Sequence, residues 1–306
     1  MPVPPGFTVP QLYVEQFNAN VQHLAQQTRS RLANTVTRKD QKAEVQYFDQ
    51  IGQVRFNRKT TRFAATPTVP AEYYRRASHL FDWDAALEIT DMADDIRMLA
   101  MPEASVVTEI VNARNRLLDS NIINAALSPA MRRDESRKTF DMIEIPAAQQ
   151  VAVDYVRSGT PATSGLTLAK LIKMRSILGK SETEQLATGA PEIFFIHTQA
   201  QIDDLLNDVE QVANSRYVDV KALIDGKVNR FMGFTFIQTE LLPLVNGVRT
   251  CMAYTPDTII ETVGKNDYVN VRVRYDRSDS LEAYAVVSLG GVRMQEKTIS
   301  TCFCAE

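Results

Sequence analysis

The stretch PEASVVTEIVNARNRLLDSNIINAAL, residues 102–127, carries the longest amphipathic helical pattern in the chain. Apolar residues recur every three or four positions and polar residues take the other side, as in a helix packed along one face. Pro102 favours a helix start, because its missing N–H would have no partner in the first turn. At ~1.5 Å per residue the helix would span roughly 37 Å, which predicts a spine rather than an ordinary core helix. Its predicted core face consists of Val107, Ile110, Val111, Leu117, Leu118 and Ile122.

Helical and strand patterns alternate after the spine. A second helix is predicted from about Thr167 to Gly179, and Thr198 is placed as the N-cap of a helix over residues 199–208. Residues 128–163 show no clear period and are predicted to be irregular. The fold class is therefore mixed α+β. Strands are predicted at residues 192–197, 232–238, 249–256, 268–275, 282–294 and 297–305.

The segment before the spine is basic and poorly globular. Residues 1–76 carry a formal charge of +6, whereas residues 77–306 carry −9. From Val54 to Phe63 apolar residues alternate with polar ones, which predicts a half-exposed strand within a long hairpin that cannot be stable alone. The pattern suits a protein interface, a single-stranded nucleic-acid site or a solvated strand. Its basic and aromatic residues are Arg55, Phe56, Arg58, Lys59, Arg62 and Phe63.

Catalytic signals are weak along the whole chain. Its 306 residues, 44% hydrophobic content and three cysteines indicate a globular protein without a disulfide scaffold, and no apolar run is long enough to span a membrane. Cys302 and Cys304 would lie on one side of a strand and could join Cys251 at a metal, but no fourth ligand is evident. Ordinary buried or semi-exposed cysteines are the better interpretation. We therefore predict no catalytic residue, no metal site and no cofactor, and a protein that is not an enzyme.

Four stretches resemble the major capsid proteins of tailed double-stranded-DNA bacteriophages, which have the Hong Kong 97-type fold. GLTLAKLIKMRSIL (165–178) with EIFFIHTQAQIDDLLND (192–208) is similar to the first helix, central strand and next helix of that family's axial domain. DGKVNRFMGFTFIQTELLP (225–243) is similar to a family pattern that ends in a leucine–proline pair. VRVRYDRSDSLEAYAVVSLGGVRMQEKTI (271–299) resembles the family's terminal strands. The order of these parts extends the resemblance over nearly the whole chain.

The resemblance implies a domain organisation: an N-terminal arm (1–44), an extended β-hairpin loop (45–80), a peripheral domain with the spine (81–164 and 256–306) and an axial domain (165–255). It implies that copies assemble through hexamers and pentamers into an icosahedral shell around packaged phage double-stranded DNA. The six basic and aromatic loop residues would then form a subunit interface, meeting acidic surface on the next copy. The virion would be assembled in the host bacterial cytoplasm.

The implied partners are many copies of the chain, a separate scaffolding protein, a portal and a cement or decoration protein. Contact with packaged DNA would be non-specific and salt-sensitive, and no membrane partner is expected. Three alternatives stay open at this point: an encapsulin-type bacterial compartment shell, an α+β enzyme of unrecognised type, and a single-stranded nucleic-acid-binding module.

Overall fold

The computed structural model describes residues 26–54, 56–58, 68, 72–90, 103–134, 139–181, 192–212, 230–264, 268–277 and 279–306. Within these residues there are three α-helices, α1 (Glu103–Leu127), α2 (Leu168–Gly179) and α3 (Gln199–Val212). The strands are β1 (Thr37–Gln41), β2 (Val45–Ile51), β3 (Tyr73–Thr90), β4 (Ala130–Asp134), β5 (Thr139–Ile143), β6 (Gln150–Val151), β7 (Ile193–His197), β8 (Arg230–Phe231), β9 (Phe234–Gln238), β10 (Leu244–Val245), β11 (Val248–Tyr254), β12 (Ile259–Gly264), β13 (Tyr268–Arg274), β14 (Ser280–Arg293) and β15 (Ile299–Ala305).

The described residues divide into two compact units. The smaller lies within Met1–Arg29, Trp83–Asn115 and Asn266–Val287. The larger lies within Ser30–Asp82, Arg116–Lys265 and Ser288–Glu306. Helix α1 and strands β3 and β14 each contribute residues to both units.

The main core of the larger unit forms on a seven-stranded sheet of order β6–β15–β11–β7–β9–β8, with β10 beside β11. Strand β7 is buried at every position, as its apolar sequence IFFIH requires. The Phe195 ring contacts Phe234 and Phe236, with ring centroids 5.9 and 5.1 Å away. Helix α2 buries Leu171 and Met174 in the same core. Helices α2 and α3 and strands β7, β9, β11 and β15 lie where the sequence predicts them.

A second sheet of the larger unit has the order β1–β12–β14–β3–β4–β5, and β2 pairs with β3. Strands β2 and β3 are antiparallel, with Val45 opposite His79 and Ile51 opposite Tyr73. The hairpin predicted before the spine therefore exists, although its paired strands begin at Val45 and the described residues from Val54 to Arg58 are not in strands. Residues 128–163 are not irregular as predicted, since β4 and β5 lie there. The five-residue strands AMRRD and TFDMI are too short to give a clear period in sequence.

Residues 30–32 are bound to the larger unit through a buried carboxylate. Asp119 of α1 is fully buried and accepts hydrogen bonds from Ser30 Oγ (2.5 Å), Arg31 N (2.9 Å) and Leu32 N (3.2 Å). Leu32 itself is fully buried in the main core. One carboxylate on α1 therefore satisfies three donors of residues 30–32 at once and attaches them to the larger unit.

The smaller unit packs the first half of α1 on the β13–β14 hairpin. Ile110 is buried with Ala283 and Ala285, and Val106 packs beside it. Val111 is 40% exposed, so its assignment to the spine core is wrong. Successive helical residues point about 100° apart, and Val111 stands well away from the line through Val106 and Ile110. The other predicted core residues differ in burial: Leu118 and Ile122 are buried, and Val107 and Leu117 are half-buried.

Candidate subunit interface

One face of the second sheet carries large apolar side chains that the chain itself leaves uncovered. The register places Tyr47 opposite Ala77, Ile51 opposite Tyr73, Met131 opposite Met142 and Arg133 opposite Phe140, and directly opposed residues share a face. Side chains of this kind in a continuous exposed face mark an interaction surface. We call this surface the open face. Its exposed apolar members are Tyr47, Ile51, Tyr73, Phe81, Phe140 and Met142.

Arginines lie between the rings of the open face. The Arg75 guanidinium pairs with Asp49 (Nε–Oδ1 2.5 Å) and lies 5.6 Å from the centroid of the Tyr47 ring. Arg133 lies 5.6 Å from the centroid of Phe140. Tyrosine and arginine often dominate the binding energy at protein interfaces, and phenylalanine is enriched there. The composition of the open face therefore matches a protein partner rather than solvent.

The predicted loop residues are only partly described. Phe56 is fully exposed and Arg58 is exposed, whereas Arg55, Lys59, Arg62 and Phe63 lie outside the described residues. The last backbone pair of the hairpin joins Gly52 N to Glu72 O at 2.8 Å. Phe56 thus follows the paired strands by four residues and contributes nothing to the core of its own chain.

A pocket of about 210 Å³ opens next to the open face, within the larger unit. Its apolar lining comes from the second half of α1 and from β3, β4, β5 and β14. Gly291 lets the helix approach the sheet, since a Cβ there would come within 2.7 Å of Ala125 Cβ. The apolar residues that line the pocket are Ala77, Phe81, Ala125, Pro129, Ala130, Met131, Met142 and Val292.

Sequence reasoning missed the open face and the pocket. The alternation in VQYFDQI (45–51) was the available signal for the first strand. Strands β4 and β5 gave no such signal. The pocket is lined by residues from five secondary-structure elements, so only the tertiary structure reveals it.

The three cysteines form a buried group in the main core. Cys251 and Cys302 are opposite each other on β11 and β15, and the Sγ atoms of Cys302 and Cys304 lie 3.8 Å apart. Hydrogen bonds from Cys251 and Cys302 lower the pKa of the Cys304 thiol, and hydrogen bonding to Cys304 raises the pKa of the other two. The nearby Lys170 ammonium is buried and donates to three carbonyls, those of Ser164, Gly165 and Phe303. All three thiols are inaccessible, so the group supports the fold.

His197 is a structural residue at the end of β7. It is buried beside Phe195 and Phe236, and Nδ1 lies 2.9 Å from the carbonyl oxygen of Thr198. Burial lowers its pKa, so the imidazole is held neutral. At the start of α3, the Gln201 side chain accepts the Thr198 N–H at 2.8 Å, which is the reciprocal half of the cap predicted from sequence.

Among the described residues, no group of three or more histidine, cysteine, aspartate or glutamate side chains is arranged to hold a metal ion. In the same part of the chain, none of the helices has the length and apolar character needed to cross a bilayer.

An α+β subunit with its own core and a large uncovered apolar face is typical of proteins that act in assemblies with other protein surfaces. The sequence profile of the family described as Phage capsid protein matches residues 9–306. The chain therefore belongs to the phage capsid protein family. It is a shell-forming structural protein of the virion, not an enzyme. A sequence comparison with curated proteins finds no significant match.

Solved capsid structures share the fold over almost the full chain. The capsid of cyanophage P-SCSP1u is similar with a TM-score of 0.68 and 11% identity, covering 98% of this chain and 95% of that one. The capsid of Ralstonia phage GP4 also gives a TM-score of 0.68, with 9% identity and coverage of 100% and 98%. The SrpI encapsulin of Synechococcus elongatus PCC 7942 is similar at 0.59, with 13% identity and coverage of 96% and 94%.

Proposed function

We propose that copies of this chain assemble through hexamers and pentamers into the icosahedral shell that encloses packaged phage double-stranded DNA. The open face carries the proposal, because an aromatic, arginine-containing surface of this extent needs a partner and a shell supplies identical copies. The family membership favours a phage shell over an encapsulin-type compartment. Assembly would take place in the host bacterial cytoplasm.

The arm (1–44), extended loop (45–80), peripheral domain (81–164 and 256–306) and axial domain (165–255) are proposed as the working parts of the subunit. The loop residues Arg55, Phe56, Arg58, Lys59, Arg62 and Phe63 are proposed as a subunit interface. Support comes from the exposure of Phe56 and Arg58 and from the basic charge of the first quarter of the chain. A separate scaffolding protein, a portal and a cement or decoration protein are the further partners proposed, with non-specific contacts to DNA.

The assembly proposal is tested by electron microscopy and light scattering on the full chain, expressed alone and with its neighbouring phage genes. Closed shells or capsomer rings are expected. A protein that stays monomeric at high concentration in both cases would refute the proposal. Phage DNA in the shells would separate a phage capsid from a compartment that holds protein cargo.

The loop is tested separately by replacing residues 53–71 with an Asn-Gly turn. The pairing of Gly52 with Glu72 makes a two-residue hairpin turn compatible with the paired strands. The variant should melt like the wild-type subunit, because the residues removed lie beyond the paired part of the hairpin, and it should form no closed shell. Normal shells from this variant would exclude the loop as a required interface.

A further inference from the structure

We propose that Cys251 and Cys302 form a disulfide when hydrogen peroxide oxidises the folded subunit, and that Cys304 is the thiol that reacts first. The three cysteines are free and lie in the main core. They share one side of the sheet, because Cys251 is directly opposite Cys302, and Cys304 follows Cys302 by two residues on β15. The inference goes beyond the proposed function, since it concerns the chemistry of one subunit.

The strand register selects the pair of cysteines that can be bridged. A disulfide needs Cα atoms about 4.4–6.8 Å apart. Directly opposite residues of an antiparallel pair have Cα atoms about 4.5 or 5.5 Å apart, so Cys251 and Cys302 lie inside this range. Cys302 and Cys304 are two residues apart on one strand, which puts them at its upper limit of about 6.8 Å. Cys251 and Cys304 are diagonal neighbours, which are about 7–8 Å apart and lie outside it.

Cys304 has the surroundings of a reactive thiol. Hydrogen bonds from Cys251 and Cys302, together with the charge of the nearby Lys170 ammonium, lower the pKa of the Cys304 thiol. The ammonium is fixed in place, since it donates to the carbonyl oxygen of Phe303 at 3.0 Å and to two further carbonyls. The thiolate is the form of cysteine that attacks an oxidant. Cys304 is therefore the thiol that we expect to react first.

The reaction consumes one hydrogen peroxide for each disulfide. The Cys304 thiolate attacks one oxygen, the O–O bond breaks, and a sulfenic acid and one water form. The Cys302 thiol, whose Sγ lies 3.8 Å from that of Cys304, then displaces the hydroxyl group as a second water. The Cys251 thiol attacks Cys302 in turn, which gives the Cys251–Cys302 disulfide and returns Cys304 as a thiol. Two thiols lose two electrons and two protons, and the peroxide is reduced to two waters.

Peroxide reaches the three thiols through local opening of β15. All three side chains are fully buried, so a bulky thiol reagent does not reach them in the closed subunit. Within the described strands, β6 pairs with β15 at Thr301 and Cys302 and leaves residues 303–305 uncovered on that edge. Segments held by few backbone bonds open locally without unfolding of the whole domain. Oxidation by a molecule little larger than water should therefore be slow, but it does not require unfolding.

The disulfide would tie β11 to β15 and close a chain loop that contains β12, β13 and β14. A cross-link that closes a long loop restricts the unfolded chain and so stabilises the folded one. Thiols stay reduced in a cytosol, whereas disulfides persist outside it. The reduced form would thus belong to assembly and the disulfide form to the released shell. This timing rests on the proposed function, whereas the disulfide chemistry does not.

The linkage is tested by peptide mapping of the unassembled full chain after treatment with hydrogen peroxide, with the remaining thiols blocked by a maleimide in guanidinium. Trypsin separates Cys251 from residues 298–306, and chymotrypsin then cuts after Phe303, between the other two cysteines. We expect the Cys251 fragment to be linked to the fragment that ends at Phe303, with Cys304 blocked by maleimide. Three blocked thiols, any other linkage, or sulfonic acids without a linkage would overturn the proposal.

Cys304→Ser tests the role of the first thiol, because it keeps both cysteines of the disulfide. Its disulfide should form at least about tenfold more slowly than in the wild type. The matched control is Thr301→Ser, an equally conservative change of a buried residue on the other side of β15, which should oxidise at the wild-type rate. Equal rates in all three proteins would overturn the assignment of Cys304.

Urea unfolding measures the effect of the disulfide on the subunit. The oxidised wild-type chain should have a higher urea midpoint than the reduced chain, and equal midpoints would overturn the stabilising role. Should Cys304→Ser fail to fold, the linkage in the wild-type chain still decides the proposal. Because every measurement uses unassembled subunits, a chain that forms no shell would count against the proposed function and leave this test intact.

Discussion

Replacement of Asp119 by alanine should be among the most damaging single changes in the larger unit. The carboxylate is fully buried and accepts hydrogen bonds from Ser30 Oγ and the N–H groups of Arg31 and Leu32. Without it the N–H of the buried Leu32 has no acceptor, which costs ~1–3 kcal/mol, and the two more exposed donors lose about 1 kcal/mol each. The expected loss in the free energy of unfolding is about 3–5 kcal/mol.

The loss in the free energy of unfolding of Asp119→Ala is measurable by urea unfolding of the unassembled subunit, followed by circular dichroism. In a thermal melt, the variant should have a Tm roughly 5–15 °C lower than the wild type. Limited trypsin digestion should also become faster at Arg31, since the arm loses its attachment. The control is Asn115→Ala, one turn earlier on α1, where the side chain donates a solvent-accessible hydrogen bond to the Thr28 carbonyl at 2.8 Å. That change should cost less than ~1 kcal/mol. Equal unfolding curves for the two variants would refute the reasoning.

Three further outcomes follow from the buried groups. In the native subunit none of the three cysteines should react with a chromogenic thiol reagent, and all three should react in guanidinium; fast labelling of any one would contradict its burial. Because burial lowers the pKa of His197, this imidazole binds a proton at a higher pH in the unfolded chain than in the folded one. Stability should therefore fall as pH drops below about 6.5, by up to ~1.4 kcal/mol per pH unit, and a His197→Gln variant that keeps the full pH dependence would exclude this cause. Ile122→Ala should cost ~2–5 kcal/mol and Val111→Ala less than ~1 kcal/mol in urea unfolding, and similar losses would contradict their different burial.

Periodicity alone was enough to predict the spine and most of the strands around the main core. Helix α1 begins one residue after Pro102 and ends at Leu127, as the pattern indicates, and β7 and α2 follow equally strong local signals. These elements bury a continuous apolar run or stripe. The spacing of their apolar residues in the sequence therefore indicates the type of element. The resemblance to a known family indicated the class of protein, which no single motif could indicate.

The face that α1 buries was harder to predict, because the two halves of the helix belong to different units. Ile110 packs on β14 residues of the smaller unit, whereas Ile122 lies in the main core of the larger one. A single stripe drawn through both halves includes Val111, which neither core covers. Sequence patterns average over a helix, so they miss a change of partner halfway along it.

The candidate interface was hardest to predict for a different reason. Tyr47, Tyr73 and Phe140 are separated by many residues, and only strand register brings them to one face. An exposed tyrosine and a buried one look the same in a pattern of alternating residues. The loop could be singled out because its charged and aromatic residues are contiguous in the sequence, whereas the open face could not.

The division between core and open surface has a consequence for how the shell forms. The larger unit closes its own core, so the subunit can fold before it meets another copy. Covering one exposed ring of the open face in the assembly would then add only ~1.5–3 kcal/mol, the value of burying one aromatic side chain. A contact of that strength is broken easily when a copy is misplaced, yet many copies make it in one shell. A closed ring therefore gains the sum of many reversible contacts, which lets errors dissociate before the shell is complete.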